Sequence, residues 1–253
     1  MTAVAIHQPH YLPWLGYLAK WAAADVFVFL DTVQYTKNGW QNRNRIKTAA
    51  GPQWLTVPVH AKLGMGIDEV AVASAQPWQA RHRRAIQHAY AGAPYLARHH
   101  EELDRFYAEP WERLAPLALA SAQWLARAIG VTPPVRLAST FGVLPTEPTE
   151  RLIAICRAVG ADTYLAGRDG AMYMDLPRFE AEGIRVLYQS YAHPVYAQLH
   201  GEFAPFLSGL DLLLTHGDEA LAILRSGDSW SLQPLRDAAS EPVNRASRRR
   251  FSE

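Results

Sequence analysis

The stretch Val4-Ala-Ile-His-Gln-Pro-His-Tyr-Leu-Pro-Trp-Leu-Gly-Tyr17, with the apolar run Val26-Phe-Val-Phe-Leu30 that follows, decides the fold. Val4 to Ile6 reads as a short buried strand. It breaks at His7-Gln8-Pro9-His10, and a helical pattern runs from Trp14 to Ala24 before a second strand ends in Asp31. Strand, turn, helix and strand within about thirty residues is the layout of a βαβ unit. Such a unit places its first turn at the carboxyl edge of the sheet, beside a helix N-terminus, where ligands bind. Pro13 suits the first helical turn, since its missing N–H costs nothing there. Gly16 is costly in a helix, by about 1 kcal/mol against Ala. Either a ligand phosphate approaches the backbone there, or the helix packs tightly.

Working outward, Thr32 to Lys47 is polar, with four cations (Lys37, Arg43, Arg45, Lys47) around Tyr35 and Trp40. Asn38-Gly39 signals a turn, with a hairpin in prospect. The cations suit an anion clamp or an ordinary solvated hairpin. Gln53 to Val59 reads as a strand with Pro58 near its end. Gln76 to Ala97 reads as a helix whose Arg81, His82, Arg83, Arg84 and His88 form a solvated face, and His99-His100 are expected to be exposed. Leu114 to Ile129 repeats apolar residues at helical spacing, with Gly130 as its cap. Val135 to Ser139, a helix from Thr149 to Gly160, and Thr163 to Gly167 form a second βαβ unit, followed by strand Ile184 to Gln189. Two such units imply an α/β fold: an open, mostly parallel, Rossmann-like sheet with helices on both faces and a helical insert. The expected organisation is one domain over residues 1–225, with the insert at 75–134 and a mobile tail over 226–253 that ends in the basic Arg245-Ala-Ser-Arg-Arg-Arg-Phe.

The chain has 253 residues, 49% hydrophobic and 19% charged, enough for a sizeable core. Its net charge of +1 offers no electrostatic case for nucleic-acid binding. The lone cysteine, Cys156, excludes an internal disulfide framework and falls on an apolar helix face, as a core residue would. No apolar run approaches the ~20 residues of a membrane span, and the N-terminus lacks signal-peptide features. A cytoplasmic protein without an integral membrane segment is expected; the oligomeric state is not legible.

The sequence carries no Walker loop, Gly-x-Gly-x-x-Gly, Gly-x-Ser-x-Gly or metal-ligand spacing. It does place two histidines, His7 and His10, at a strand end before a helix start. Neutral imidazoles there can donate to an anion or exchange protons near neutral pH. This turn loosely resembles the His-x-x-His turn of the nucleotidylyltransferase-like superfamily, which binds ATP at that place. Gln8 and Pro9 stand here where a glycine is usual.

A longer resemblance, over about residues 4 to 217, is to the WbqC-like protein family. Its blocks are Ile6 to Tyr17 (with Gln8, Tyr11, Trp14 and Gly16), Asp31 to Gln34, Trp40 to Lys47 (with Asn42 and Arg43), and Trp54 to Pro58. Further on come Ser139, Cys156, Gly167, Tyr173, and His193-Pro-Val-Tyr196 with Gln198. The resemblance implies work on an activated or amino sugar in surface-polysaccharide biosynthesis, such as O-antigen assembly. The polar blocks at strand ends then suit an acyl- or aminoacyl-transferring enzyme, a transferase or ligase, that acts on an amine with a small-molecule acyl donor. His7, His10 and Asp31 are the expected catalytic residues. Arg43 and Lys47, with Lys37, would hold phosphate or carboxylate, and the other polar and aromatic residues of these blocks would line the substrate site. If the nucleotidylyltransferase likeness holds, ATP with Mg²⁺ would activate the carboxylate. The alternative is a non-catalytic binding or scaffold protein of glycan assembly.

Overall fold

The computed structural model describes residues 1–233. Strands β1 (Ala3–His7) and β2 (Val26–Phe29) flank helix α1 (Leu15–Ala23), as the opening stretch implies. A hairpin of β3 (Arg43–Thr48) and β4 (Gly51–Thr56) follows, then the small pair β5 (Val59–His60) and β6 (Ala71–Val72). Helices α2 (Trp78–Ala89), α3 (Leu96–Ala108) and α4 (Leu114–Ile129) lead to β7 (Val135–Leu137). Next come α5 (Pro148–Ala158), β8 (Thr163–Ala166), α6 (Leu176–Ala181) and β9 (Arg185–Tyr191). Helices α7 (Gly209–His216) and α8 (Ala220–Ser226) precede the last described strand, β10 (Asp228–Ser231).

Six strands form one sheet in the order β10-β9-β8-β1-β2-β7, all parallel except β10. The chain winds from β1 through β2 to β7, then crosses back to β8 on the other side of β1. The strand order therefore reverses between β1 and β8. In open α/β sheets such a reversal leaves a crevice at the carboxyl ends of the two strands. This is the expected mostly parallel sheet with helices on both faces.

Alternation along the strands sorts the two faces. Ala5, Phe27, Phe29 and Leu165 pack against α1, α4 and α7; Val4, Ile6, Val28, Tyr164 and Ala166 pack against α5 and α6. Cys156 is buried in the second layer, where burial pushes its thiol up to about 12. Trp78, Ile86, Leu103 and Leu125 of the 75–134 stretch join the same hydrophobic cluster as Leu15 and Leu18 of α1. No helix among the described residues is long and apolar enough to cross a membrane.

Several expectations are corrected. The hairpin turns at Ala49-Ala50; Asn38-Gly39 makes a separate turn, with Asn38 at φ 63° and Gly39 N–H donating to the Thr36 carbonyl (2.9 Å). Gln53 to Val59 splits at Val57-Pro58: Val57 N–H still extends the hairpin ladder to the Asn42 carbonyl (2.8 Å), and Pro58, which has no N–H, ends it. His82 and His99 are buried rather than solvated: Tyr11 and Tyr107 cover His82, together with Trp78 one turn earlier on α2, and Trp124 of α4 lies against His99. The expected mobile tail begins as a strand, since β10 pairs with β9. Residues 234–253, with the basic run Arg245 to Arg250, lie outside the described residues.

Candidate functional site at the carboxyl edge of β1

The turn from Gln8 to Trp14 is held from many sides. Tyr11 N–H donates to the Trp40 carbonyl (3.1 Å), Leu12 N–H to Ser121 Oγ (3.0 Å), and Gly209 N–H to the Pro13 carbonyl (2.8 Å). Asn44 Nδ2 donates to the Leu12 carbonyl (2.6 Å) and Gln41 Nε2 to Gln8 Oε1 (2.6 Å). These bonds hold Leu12 at φ 44°, a left-handed conformation rare for leucine. The hairpin and α4 thus act as a clamp that fixes where His7 and His10 point.

His7 and His10 meet ring to ring at 4.7 Å, and Tyr17 of α1 lies against both, 4.6 Å from His7 and stacked on His10 at 4.8 Å. His7 Nδ1 is 3.1 Å from the Gln8 carbonyl, which also accepts from the Tyr17 hydroxyl (3.1 Å). A carbonyl only accepts, so Nδ1 carries the proton and His7 Nε2 keeps its lone pair. His10 Nδ1 is buried with no hydrogen-bond partner. Burial and the nearby Lys20 ammonium hold both imidazoles neutral: His10 is pushed down to about 3, and His7 lies well below its ordinary value.

Lys20 is the residue the sequence reading missed. It is 97% buried, and its ammonium makes no hydrogen bond or ion pair among the described residues. Burial lowers it to about 7. Side chains on a helix lean toward its N-terminus, so Lys20 reaches back past Tyr17 to the sheet edge. Its Nζ lies 3.8 Å from the point where a Cβ on Gly167 would stand. Gly167 directly follows β8, so Lys20, His7 and His10 converge where the strand order reverses. Lys20 is the one charged residue of α1, among Leu, Tyr, Ala and Trp; that isolation is the signal it leaves in the sequence.

One strand over, Asp31 follows β2. Its Oδ1 accepts from Ser139 N–H (3.0 Å) and its Oδ2 from Ser139 Oγ (2.7 Å). The expected Asp31 and Ser139 thus meet, but Asp31 orients the loop after β7 and not a histidine. Beside them a cavity of about 210 Å³ opens, walled by Pro9, Phe29, Leu137 and α4.

The other expected residues are placed differently. Arg43 and Arg45 stack over Trp54, at 4.3 and 5.5 Å, and give N–H groups to the carbonyls of Asn38 and Phe206. Lys47 is buried and donates to the carbonyls of Gly201 (3.1 Å) and Glu202. Backbone carbonyls thus take some of the N–H groups of Arg43, Arg45 and Lys47, while Arg43 Nε and Arg45 Nε are buried without a hydrogen bond and Lys37 stands exposed. Gly16 is required by packing, since a Cβ there would lie 2.2 Å from the Trp14 ring. The indole fills the place expected for a phosphate. No group of three or more His, Cys, Asp or Glu among the described residues could hold a metal ion.

Tyr11, Asn42, Tyr196 and Gln198 are each held by side-chain hydrogen bonds. Tyr11 OH bonds His82 and Tyr107 (3.0 and 2.6 Å), and Asn42 bridges Tyr35 and the Val57 carbonyl. Gln198 grips Ala204, and Tyr196 OH donates to buried Asp211 (2.9 Å), as does Tyr90 OH (2.8 Å). His193 stacks among Tyr196, Phe203 and Phe206, its Nδ1 2.9 Å from the Pro194 carbonyl. Gln34 bridges Gly66, Trp40 packs on Trp54 at 5.5 Å, and Tyr173 is half exposed. These contacts support the turn, the hairpin or the surface.

Residues 8–223 match the WbqC-like protein family, and the chain is a member of it. It is 37% identical over 232 residues to the uncharacterized protein Rv1507c of Mycobacterium tuberculosis, across 89% of this chain and 98% of that one. No solved structure matches.

Proposed function

We propose that the chain is an enzyme of surface-polysaccharide or related amino-sugar biosynthesis that transfers an acyl or aminoacyl group from an activated donor to an amine. One observation carries this reading: Lys20, whose side chain is largely buried, sits close to the His7 and His10 imidazoles at the sheet's switch point, with no hydrogen-bond or ion-pair partner among the described residues. A desolvated charge without a partner is costly, so the crevice is complemented by an anion or by an oxyanion formed during reaction.

The donor on this reading is an ester, thioester or acyl phosphate. The acceptor nitrogen attacks its carbonyl carbon, and the new C–N bond leaves negative charge on the carbonyl oxygen, facing Lys20. His7 Nε2 takes the proton from the attacking amine. The bond from carbon to the leaving oxygen or sulfur then breaks, and His7 returns that proton to the leaving group. His10 and Tyr17 hold the His7 ring in place. Cys156 is buried and its thiol is raised, so it does not serve as a covalent carrier.

The test is a thermal-shift and calorimetric screen against sugar nucleotides, acyl donors and ATP–Mg²⁺, with acyl transfer to amino-sugar acceptors followed by mass spectrometry. His7→Gln should abolish transfer and preserve binding. If wild type shows no transfer and His7→Gln binds equally well, the chain is a binding protein of glycan assembly.

A further inference from the structure

The cavity beside Asp31 has no role in the chemistry above, yet it is placed to serve it. Paired residues of adjacent parallel strands share a face of the sheet. His7 is paired with Phe29, and Phe29 with Leu137. The three side chains thus form a row at the carboxyl edge, His7 first, and the next two wall the cavity. Neighbouring strands are about 4.8 Å apart, so the cavity opens one strand from the proposed base. Pro9, which lies in the chain between the two histidines, also lines the cavity.

Its chemistry is mixed in a particular way. Phe29, Leu137, Leu119 and Ala115 give it aliphatic and aromatic walls, while Asp31, Asp68 and Arg113 stand around it. Arg113 donates to the Glu69 carbonyl (2.7 Å). Asp31 has accepted one bond on each oxygen, which leaves a lone pair on each. The Asp68 carboxylate makes no hydrogen bond or ion pair among the described residues. Two carboxylates against one guanidinium favour a cationic guest. At ~30 Å³ per water-sized group, about 210 Å³ holds roughly seven such groups. That volume accommodates an aliphatic amino-acid side chain with its α-ammonium.

We infer that this cavity is the donor pocket for a short aliphatic aminoacyl group, its side chain among Phe29, Leu119 and Leu137 and its free ammonium at Asp31 and Asp68, with the carbonyl presented toward His7. The inference rests on the proposed transfer reaction and selects an aminoacyl over a plain acyl donor.

Calorimetry with L-leucinamide, whose amide stands in for the activated carbonyl, and 4-methylpentanamide, which lacks only the ammonium, tests it on the full chain. L-leucinamide should bind at least tenfold more tightly. Asp68→Asn, at an exposed position, should cut that preference severalfold and leave 4-methylpentanamide unchanged. Leu119→Trp, which fills the cavity, should abolish binding of both. Equal affinity for the two amides, unchanged affinity in Leu119→Trp, or no binding of L-leucinamide would overturn the inference. The transfer reading fails separately: if Lys20→Met leaves turnover and sugar-nucleotide affinity unchanged, the crevice is not the reaction site, whatever the amides do.

Discussion

At the scale of residues, Lys20 ties stability to activity in opposite directions. Its folded value of about 7 lies below the ordinary 10.5. Between those two pH values the unfolded chain binds the extra proton, so the Lys20 penalty is full below pH 7 and fades as pH rises to 10.5. The gap corresponds to ~5 kcal/mol at most. Lys20→Met, similar in shape and uncharged, should therefore raise the urea midpoint at pH 7, with a gain that shrinks toward pH 10, while acyl transfer is lost. A midpoint that falls would mean the ammonium has a partner in the fold. Since Lys20 must be charged to face an oxyanion, kcat/KM should fall as pH rises through about 7. Lys20→Arg should move that limb upward if the side chain fits.

At the scale of elements, α1 is a helix built around one close contact. The Trp14 indole lies over Gly16, and Gln189 Nε2 donates to the Gly16 carbonyl (3.0 Å) from β9. Gly16→Ala should cost about 2 kcal/mol by overpacking. In a Trp14→Ala background the same change should be neutral or stabilising, because Ala is the better helix former by about 1 kcal/mol. A double-mutant cycle by chemical denaturation reads the coupling. An equal cost in both backgrounds would remove Trp14 as the reason for the glycine.

At the scale of the whole molecule, buried polar groups join distant parts of the chain. Asp211 of α7 is fully buried and receives the hydroxyls of Tyr90, after α2, and Tyr196, after β9. Asp211→Ala would strand both phenols and should cost about 3 kcal/mol or more in thermal denaturation. Acid acts through the histidines. Burial holds His10 at about 3 and His82 at about 4, against an ordinary 6.5. Below pH 6.5 the unfolded chain takes up protons that the folded one refuses, so stability falls from pH 6.5 down toward those values, by ~3 kcal/mol or more per histidine when complete. His10→Gln should flatten the slope of urea midpoint against pH between 6.5 and 4. An unchanged slope would show that His10 is solvated.

The sequence by itself determined the local pieces. Val4 to Asp31 could be read as strand, turn, helix and strand because apolar periodicity and proline placement act over neighbours in the chain, and the same logic located the β7–α5–β8 unit and the importance of His7 and His10. The pairing of Asp31 with Ser139, 108 residues apart, needed the sheet to lay β7 beside β2. The hairpin turned at Ala49-Ala50, against the Asn38-Gly39 signal, because Asn42 and Asn44 bond the Val57 and Leu12 carbonyls and so set its register. The arginines and lysine of that hairpin read as an anion clamp in sequence; in the fold Arg45 and Lys47 also give N–H groups to the carbonyls of Phe206 and Gly201, more than 150 residues away. Lys20 stands alone as a charge in an apolar helix, and the sequence does not say where its ammonium lies. Only the crossover that brings β8 beside β1 encloses its ammonium with two histidines, because burial belongs to the assembled layers and not to the helix that carries the residue.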